Sequence, residues 1–168
     1  IRGAMDFTTE DRTLAAQLVE TPEGLAEALA IAIGTERMEA LASSAQRGGD
    51  LLLASGFWHA ASLPAACGHI TSATELALLT SATDALRAMD QDPAANAAEV
   101  TMLSRMRSLL KGKPSEMIQA TDRLEELLER ARCRGEESWE LAALEAAVWH
   151  AKAHTWYIRH IPYTVSYT

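Results

Sequence analysis

Aromatic residues are scarce in this 168-residue chain, which has four tryptophans, three tyrosines and two phenylalanines. Cysteine is scarcer still. Cys67 and Cys133 stand far apart with no Cys-x-x-Cys pair, which excludes a disulfide framework and a cysteine zinc site. Valine, isoleucine and phenylalanine are few beside alanine and leucine, and that imbalance favours helix over sheet. No apolar run approaches the roughly 18 residues a membrane-spanning helix needs. Positive charge is also short, with 15 Lys and Arg against 23 Asp and Glu for a net charge of −8. The shortage falls in residues 1–100, which hold 14 acids against 5 Lys and Arg, while residues 101–168 hold 9 against 10. An acidic half of this kind argues against direct nucleic-acid binding, because phosphate contacts need clustered cations.

The usual catalytic signatures are missing as well. Gly112-Lys113 runs into Pro114 without the upstream glycine of a phosphate-binding loop. No His-Glu-x-x-His, Gly-x-Ser-x-Gly or Glu-x-x-His pattern occurs. No basic segment followed by an apolar stretch opens the sequence, so no signal peptide is expected and a cytoplasmic location is the default expectation. Ile1 to Met5 reads as an expression remnant, with Met5 as the native start.

What is present is a legible helical punctuation. A 48% hydrophobic and 23% charged composition suits one globular domain with a real core. Helices are predicted from about Thr9 to Glu20, and from Thr21-Pro22 to Gly34. Thr35 is expected to cap the next, which ends at Gly48-Gly49. Asp50 opens a short apolar helix through Phe57 and Trp58 that closes before Pro64. Four longer helices follow: Ser72 to Met89, apolar on most sides; Asp92-Pro93 to Leu110; Pro114 to Gly135; and Glu136 to His160. In the third of these, Met117, Thr121, Leu124, Leu128 and Ala131 step by four, three, four and three, the spacing of antiparallel bundle packing. Connections of a few residues make consecutive helices antiparallel neighbours. The expectation is an all-α protein. Four longer helices form an antiparallel bundle with three or four shorter N-terminal helices, in a single domain over residues 6–161, and an extended tail follows over 162–168.

The scarce aromatics gather at one end: six of the nine lie between Trp139 and Thr168, with three of the five histidines. On the last helix, at about 100° per residue, Trp149, Trp156, Ala142, Ala153 and His160 form one stripe. Leu141, Leu144, Val148, Thr155 and Ile158 lie broadly opposite. His150 and His154 share a third side with Trp139, Ala143, Ala147 and Tyr157. A helix with so much apolar perimeter is either central or gives a second face to a partner. Past Pro162, the alternation of Ile161, Tyr163, Val165 and Tyr167 is a strand pattern in a chain without an evident second strand. It predicts a segment that is a mobile terminus, docks extended on the bundle or pairs with another chain, and two tyrosines and a valine on one face favour docking or pairing.

His150 and His154, four apart, can converge as they would on a zinc or nickel ion, with a third ligand among His59, His69 and Cys67. An earlier histidine with a late His-x-x-x-His, here His59, His150 and His154, resembles the metal-dependent thiol transferases of the DinB-like fold. The resemblance implies a three-histidine metal site and a small helical-bundle enzyme. The structural alternative packs both late histidines among alanines and aromatics with one ring nitrogen hydrogen-bonded. Cys67 beside Gly68 and His69 is read as a half-buried structural cysteine rather than a reactive thiol. Glu125, Glu126 and Glu129 are read as solvated. Arg105, Arg107, Lys111 and Lys113 are read as a solvated helix end whose cations complement the helix dipole, with an acidic partner as the alternative.

Weighed together, these features favour a non-enzymatic helical interaction protein of the adaptor, regulator or inhibitor kind, with neither nucleic acid nor membrane as partner. The partner is another protein, and a homodimer is expected through Trp149, Trp156, Tyr157, Tyr163, Val165 and Tyr167. The acidic half is a second surface for a basic partner, with a DNA-mimicking inhibitor as one variant. No cofactor is expected on this reading; the alternative is the enzyme with zinc or nickel on His59, His150 and His154.

Overall fold

The computed structural model describes residues 30–136 and 138–160, and of residues 138–140 and 157–160 it describes the backbone only. The helix expected from Thr9 to Glu20 lies outside those residues, as do most of the following one and the tail. Every regular element among the described residues is helical. Six α-helices follow a helical segment over residues 30–33: α1 (Thr35–Arg47), α2 (Leu51–Ser62), α3 (Ser72–Arg87), α4 (Pro93–Leu109), α5 (Pro114–Arg134) and α6 (Ser138–His160). A 3-10 turn, Leu63–Cys67, links α2 to α3. No helix among the described residues is long and apolar enough to cross a membrane.

Local chemistry sets most of these boundaries. The Asp50 carboxylate accepts from the Leu53 amide at 3.2 Å and caps α2, while the Thr71 hydroxyl accepts from Thr74 at 3.1 Å and caps α3. Asp92 does the same for α4 through the Ala94 amide at 2.9 Å, with Pro93 first in the helix. The end of α5 needs a left-handed residue: Gly135 sits at φ 68°, and the Glu136 amide reaches back to the Ala131 carbonyl at 3.3 Å. Thr35 departs from expectation. It is the first residue of α1 with Gly34 in the cap position, and its hydroxyl donates to the Ala61 carbonyl at 3.4 Å. A tertiary acceptor across α2 has taken the donor that a local cap would have used as an acceptor.

The chain divides into two compact units, Ile1–Met102 and Leu103–Thr168. In the first, α2 packs against both α1 and α3. Met38, Leu41, Ala42 and Ala45 of α1 repeat at three, four and seven residues, and bury against Ala54, Phe57, Ala60 and Ala61 of α2 and Leu78 of α3. Alanine at so many contact positions leaves Phe57 and Met38 to fill the space. Glu99 is fully buried and meets the Arg87 guanidinium at 2.9 Å, which compensates a charge that would be costly alone. Gly56 lies inside α2 without a positive φ, and a Cβ there would meet nothing within 4 Å. Gly56→Ala is therefore expected to stabilise the protein by about 0.5–1 kcal/mol, from helix propensity and lost unfolded-state freedom. A raised thermal midpoint checks it, and a lowered one would show that the space at Gly56 does not admit a methyl group.

The second unit holds the α5–α6 hairpin. Met117, Thr121, Leu124, Leu128 and Ala131 are all buried, so the heptad-spaced face of α5 is the one that packs. Val148, Ala151 and Thr155 are buried on α6, with Leu141 and Leu144 half-buried above them. These five positions step by three, four, three and four, a matching seam for α5. Of the four long helices expected to form one bundle, α5 and α6 pack together in this unit.

Candidate functional site

With Leu141, Leu144, Val148, Ala151 and Thr155 turned to α5, the tryptophan stripe of α6 faces away from the hairpin's own core. Trp149 is 73% exposed and Trp156 59% exposed, and Ala142, Ala146 and Ala153 beside them are exposed too. Ala142, Ala146, Trp149, Ala153 and Trp156 step by four, three, four and three. They form a second heptad seam on the helix, about 140° around from the first at 100° per residue. A large exposed aromatic pair on a rigid helix is the surface feature that calls for a function, because isolated exposed leucines do not.

Between this seam and α5 lies an open groove of about 310 Å³, lined by Thr121, Asp122, Glu125, Trp149, Lys152, Ala153, Thr155 and Trp156. That volume sits at the lower end of the range of small-ligand clefts, roughly 300–1,000 Å³. Ala153 leaves the space between the two indoles open, Thr121 and Thr155 lie deepest, and charge stands at the rim. The Thr155 hydroxyl is satisfied by the Ala151 carbonyl at 3.0 Å, so the floor carries no demand for a polar ligand from that side chain. Lys152 Nζ meets Glu125 at 2.8 Å across the helix pair, pinning the register of α6 on α5 beside the groove. Arg132 repeats the device lower down, reaching Glu145 at 2.8 Å and also Glu129, and these two carboxylates hold its guanidinium proton more firmly than usual. The Glu126 carboxyl is held below the usual range by hydrogen bonds from Arg123 and Arg130. Of the three glutamates read as solvated, Glu126 and Glu129 are exposed and Glu125 is half-buried, and all three are engaged in ion pairs. Being exposed, the pairs contribute little individually to stability.

The late histidines depart from the packed alternative. His150 and His154 are both exposed, one turn apart on α6, rather than packed among alanines and aromatics. The α5 leucines select the other face of α6 for burial. His59 is half-buried on α2 in the first unit; Cys67, the last residue of the 3-10 turn, is exposed rather than half-buried as expected, and so is His69. Among the described residues, no group of three His, Cys, Asp or Glu side chains is placed to share a metal ion. Of the four-cation run, Arg105, Lys111 and Lys113 are exposed. Arg107 is half-buried, with its Nε lacking a hydrogen-bond partner and burial drawing its pKa below the ordinary value.

Known proteins offer no shortcut. No protein-family model, curated protein or solved structure matches this chain. The site must therefore be read from its geometry: two exposed indoles, an alanine-floored gap between them, and α5 carboxylates along one edge. Asp122 and Glu125 escaped the sequence reading as site residues because only the pairing of α5 with α6 brings them beside the tryptophans. The side chain of Tyr157, and Tyr163, Val165 and Tyr167 altogether, lie outside what the structure describes.

Proposed function

We propose that this protein is an interaction module of the adaptor, regulator or inhibitor type, and that its partner surface is the exposed tryptophan seam of α6. One observation carries the reading: Trp149 and Trp156 lie on one helix face with most of their surface in water, while a different face of α6 packs on α5. Tryptophan is enriched among the few residues that dominate protein–protein affinity, and leaving two of them exposed on a monomer has an aggregation cost that only a partner repays. The groove supports the same conclusion, since an alanine between two indoles makes a hole for a side chain from another surface. The reading extends along the chain to Tyr157 and to Tyr163, Val165 and Tyr167 past Pro162. A truncation lacking residues 162–168 tests their part by the weakening of association it causes.

The test of the seam itself uses the full chain and the double variant Trp149→Ala/Trp156→Ala. Because neither indole belongs to the buried core, the variant should keep its helical circular dichroism. Sedimentation and pull-down should both show a protein partner, own or foreign, for the parent chain. In the variant that association should weaken by about 30-fold or more, the effect of losing interface anchors worth roughly 2 kcal/mol or more. Retention of every association by the folded variant overturns the proposal.

A further inference from the structure

Resting on that reading, we propose that the occupant of the seam is a second copy of this chain, with the two α6 helices antiparallel and each Trp149 seated over the Ala153 of the other copy. The seam is self-complementary in one register. When α6 is laid antiparallel on itself so that paired residue numbers add to 302, Trp149 falls opposite Ala153 and Trp156 falls opposite Ala146. Every large side chain of the seam then meets a small one, twice over by symmetry, as knobs meet holes. In a parallel pairing in register, Trp149 would meet Trp149 and Trp156 would meet Trp156, with the alanines facing one another across empty space. The groove is already shaped for the antiparallel knob: it lies over Ala153, is walled by Trp149 and Trp156, and opens outward.

Charge agrees with the register. It brings position 145, a glutamate that already meets Arg132 at 2.8 Å, to within two residues along the axis of position 159 of the second copy, an arginine, on both sides of the dyad. The Lys152 residues approach each other near the axis, and each arrives already paired to its own Glu125 at 2.8 Å. Like-charge repulsion there is offset within each copy before association. The area is also in range. Aromatic side chains bury about 150–250 Å² each, so the exposed parts of Trp149 and Trp156 offer on the order of 300 Å² per copy. A standard interface takes about 800 Å² per partner, and Ala142, Ala146, Ala153, the Lys152 stem and the α5 rim at Asp122 supply the remainder. Two α5–α6 hairpins joined this way make an antiparallel four-helix bundle with the dyad in its middle.

The experiment uses the full chain with Cys67 and Cys133, both exposed, changed to serine, and one spin label at Ala143→Cys on the flank of the seam. Sedimentation should give a mass of twice 18.2 kDa. With a rise of 1.5 Å per residue and an interaxial distance of about 10 Å, the label-to-label distance should be about 26 Å. Ala153→Arg fills the hole while changing an exposed position, so it should leave the helical signal intact and weaken dimerisation by about 100-fold. A label distance near 10 Å, a full dimer surviving Ala153→Arg, or a monomeric parent chain each overturns the inference. The monomeric result leaves the tryptophan seam open to a foreign partner, which the double tryptophan variant then decides separately.

Discussion

Phe57→Ala is expected to cost about 3–5 kcal/mol, the largest loss from any single truncation in the first unit. Phe57 is 1% exposed in a buried cluster in which five of the other eight members are alanine, the rest being Met38, Leu41 and Leu78. The size of the effect follows from those neighbours. A cavity is relieved when long side chains swing into it or when helices slide together. Here Ala42, Ala45, Ala54, Ala60 and Ala61 have nothing to swing, and α2 is already in close contact with α1 on one side and α3 on the other. The void therefore stays near its full volume, and the penalty lies at the upper part of the range for a phenylalanine. For a unit of this size each kcal/mol moves the thermal midpoint by about 4–8 °C, so a drop of 15 °C or more is expected by circular dichroism. A drop below about 5 °C would show that the first unit does not depend on this core.

The elements that local chemistry controls are the ones the sequence announces. Asp50, Asp92 with Pro93, Pro114 and Gly135 mark helix ends that the structure places within a few residues, because a cap, a proline ring or a left-handed glycine acts over one turn. The heptad face of α5 is equally legible, since Leu124 and Leu128 leave no other side to bury. Thr35 shows where this stops: its hydroxyl goes to Ala61, 26 residues away, and no local rule announces that acceptor. The face of α6 lies beyond sequence alone for a related reason. Its perimeter carries three stripes of comparable apolar character, and only the leucines of α5 decide that Val148, Ala151 and Thr155 turn inward. With that choice made, the tryptophans and both histidines are exposed together, where the packed alternative buries the histidines. The groove is less legible still, because Asp122 and Glu125 acquire a role only from the register that Lys152 pins.

Leu124→Ala is expected to cost about 2–5 kcal/mol, and the comparison with Trp149→Ala separates folding from assembly. Leu124 is fully buried on the packing face of α5, opposite the thin seam of Val148, Ala151 and Thr155. Among the described side chains of that seam only Leu141 and Leu144 are large, and both are half-buried, so a hole at Leu124 removes a large share of what holds the two helices together. Trp149 is the bigger residue, yet 73% of it is in water. At about 25 cal/mol per Å², with the unfolded chain already partly collapsed, its truncation should cost the monomer about 1 kcal/mol. Protein concentration tells the two apart. A dimer adds stability by mass action, so the deficit of Trp149→Ala relative to the parent should grow between about 1 and 100 μM, by up to roughly 1.4 kcal/mol per chain over that hundredfold range, half of RT ln 100 because two chains share each dimer. The deficit of Leu124→Ala comes from the hairpin itself and is already large at 1 μM. Denaturant unfolding at the two concentrations measures both. If Trp149→Ala were the costlier change at the lower concentration, the tryptophan would be acting as core, and the face of α6 that packs on α5 would have to be reassigned.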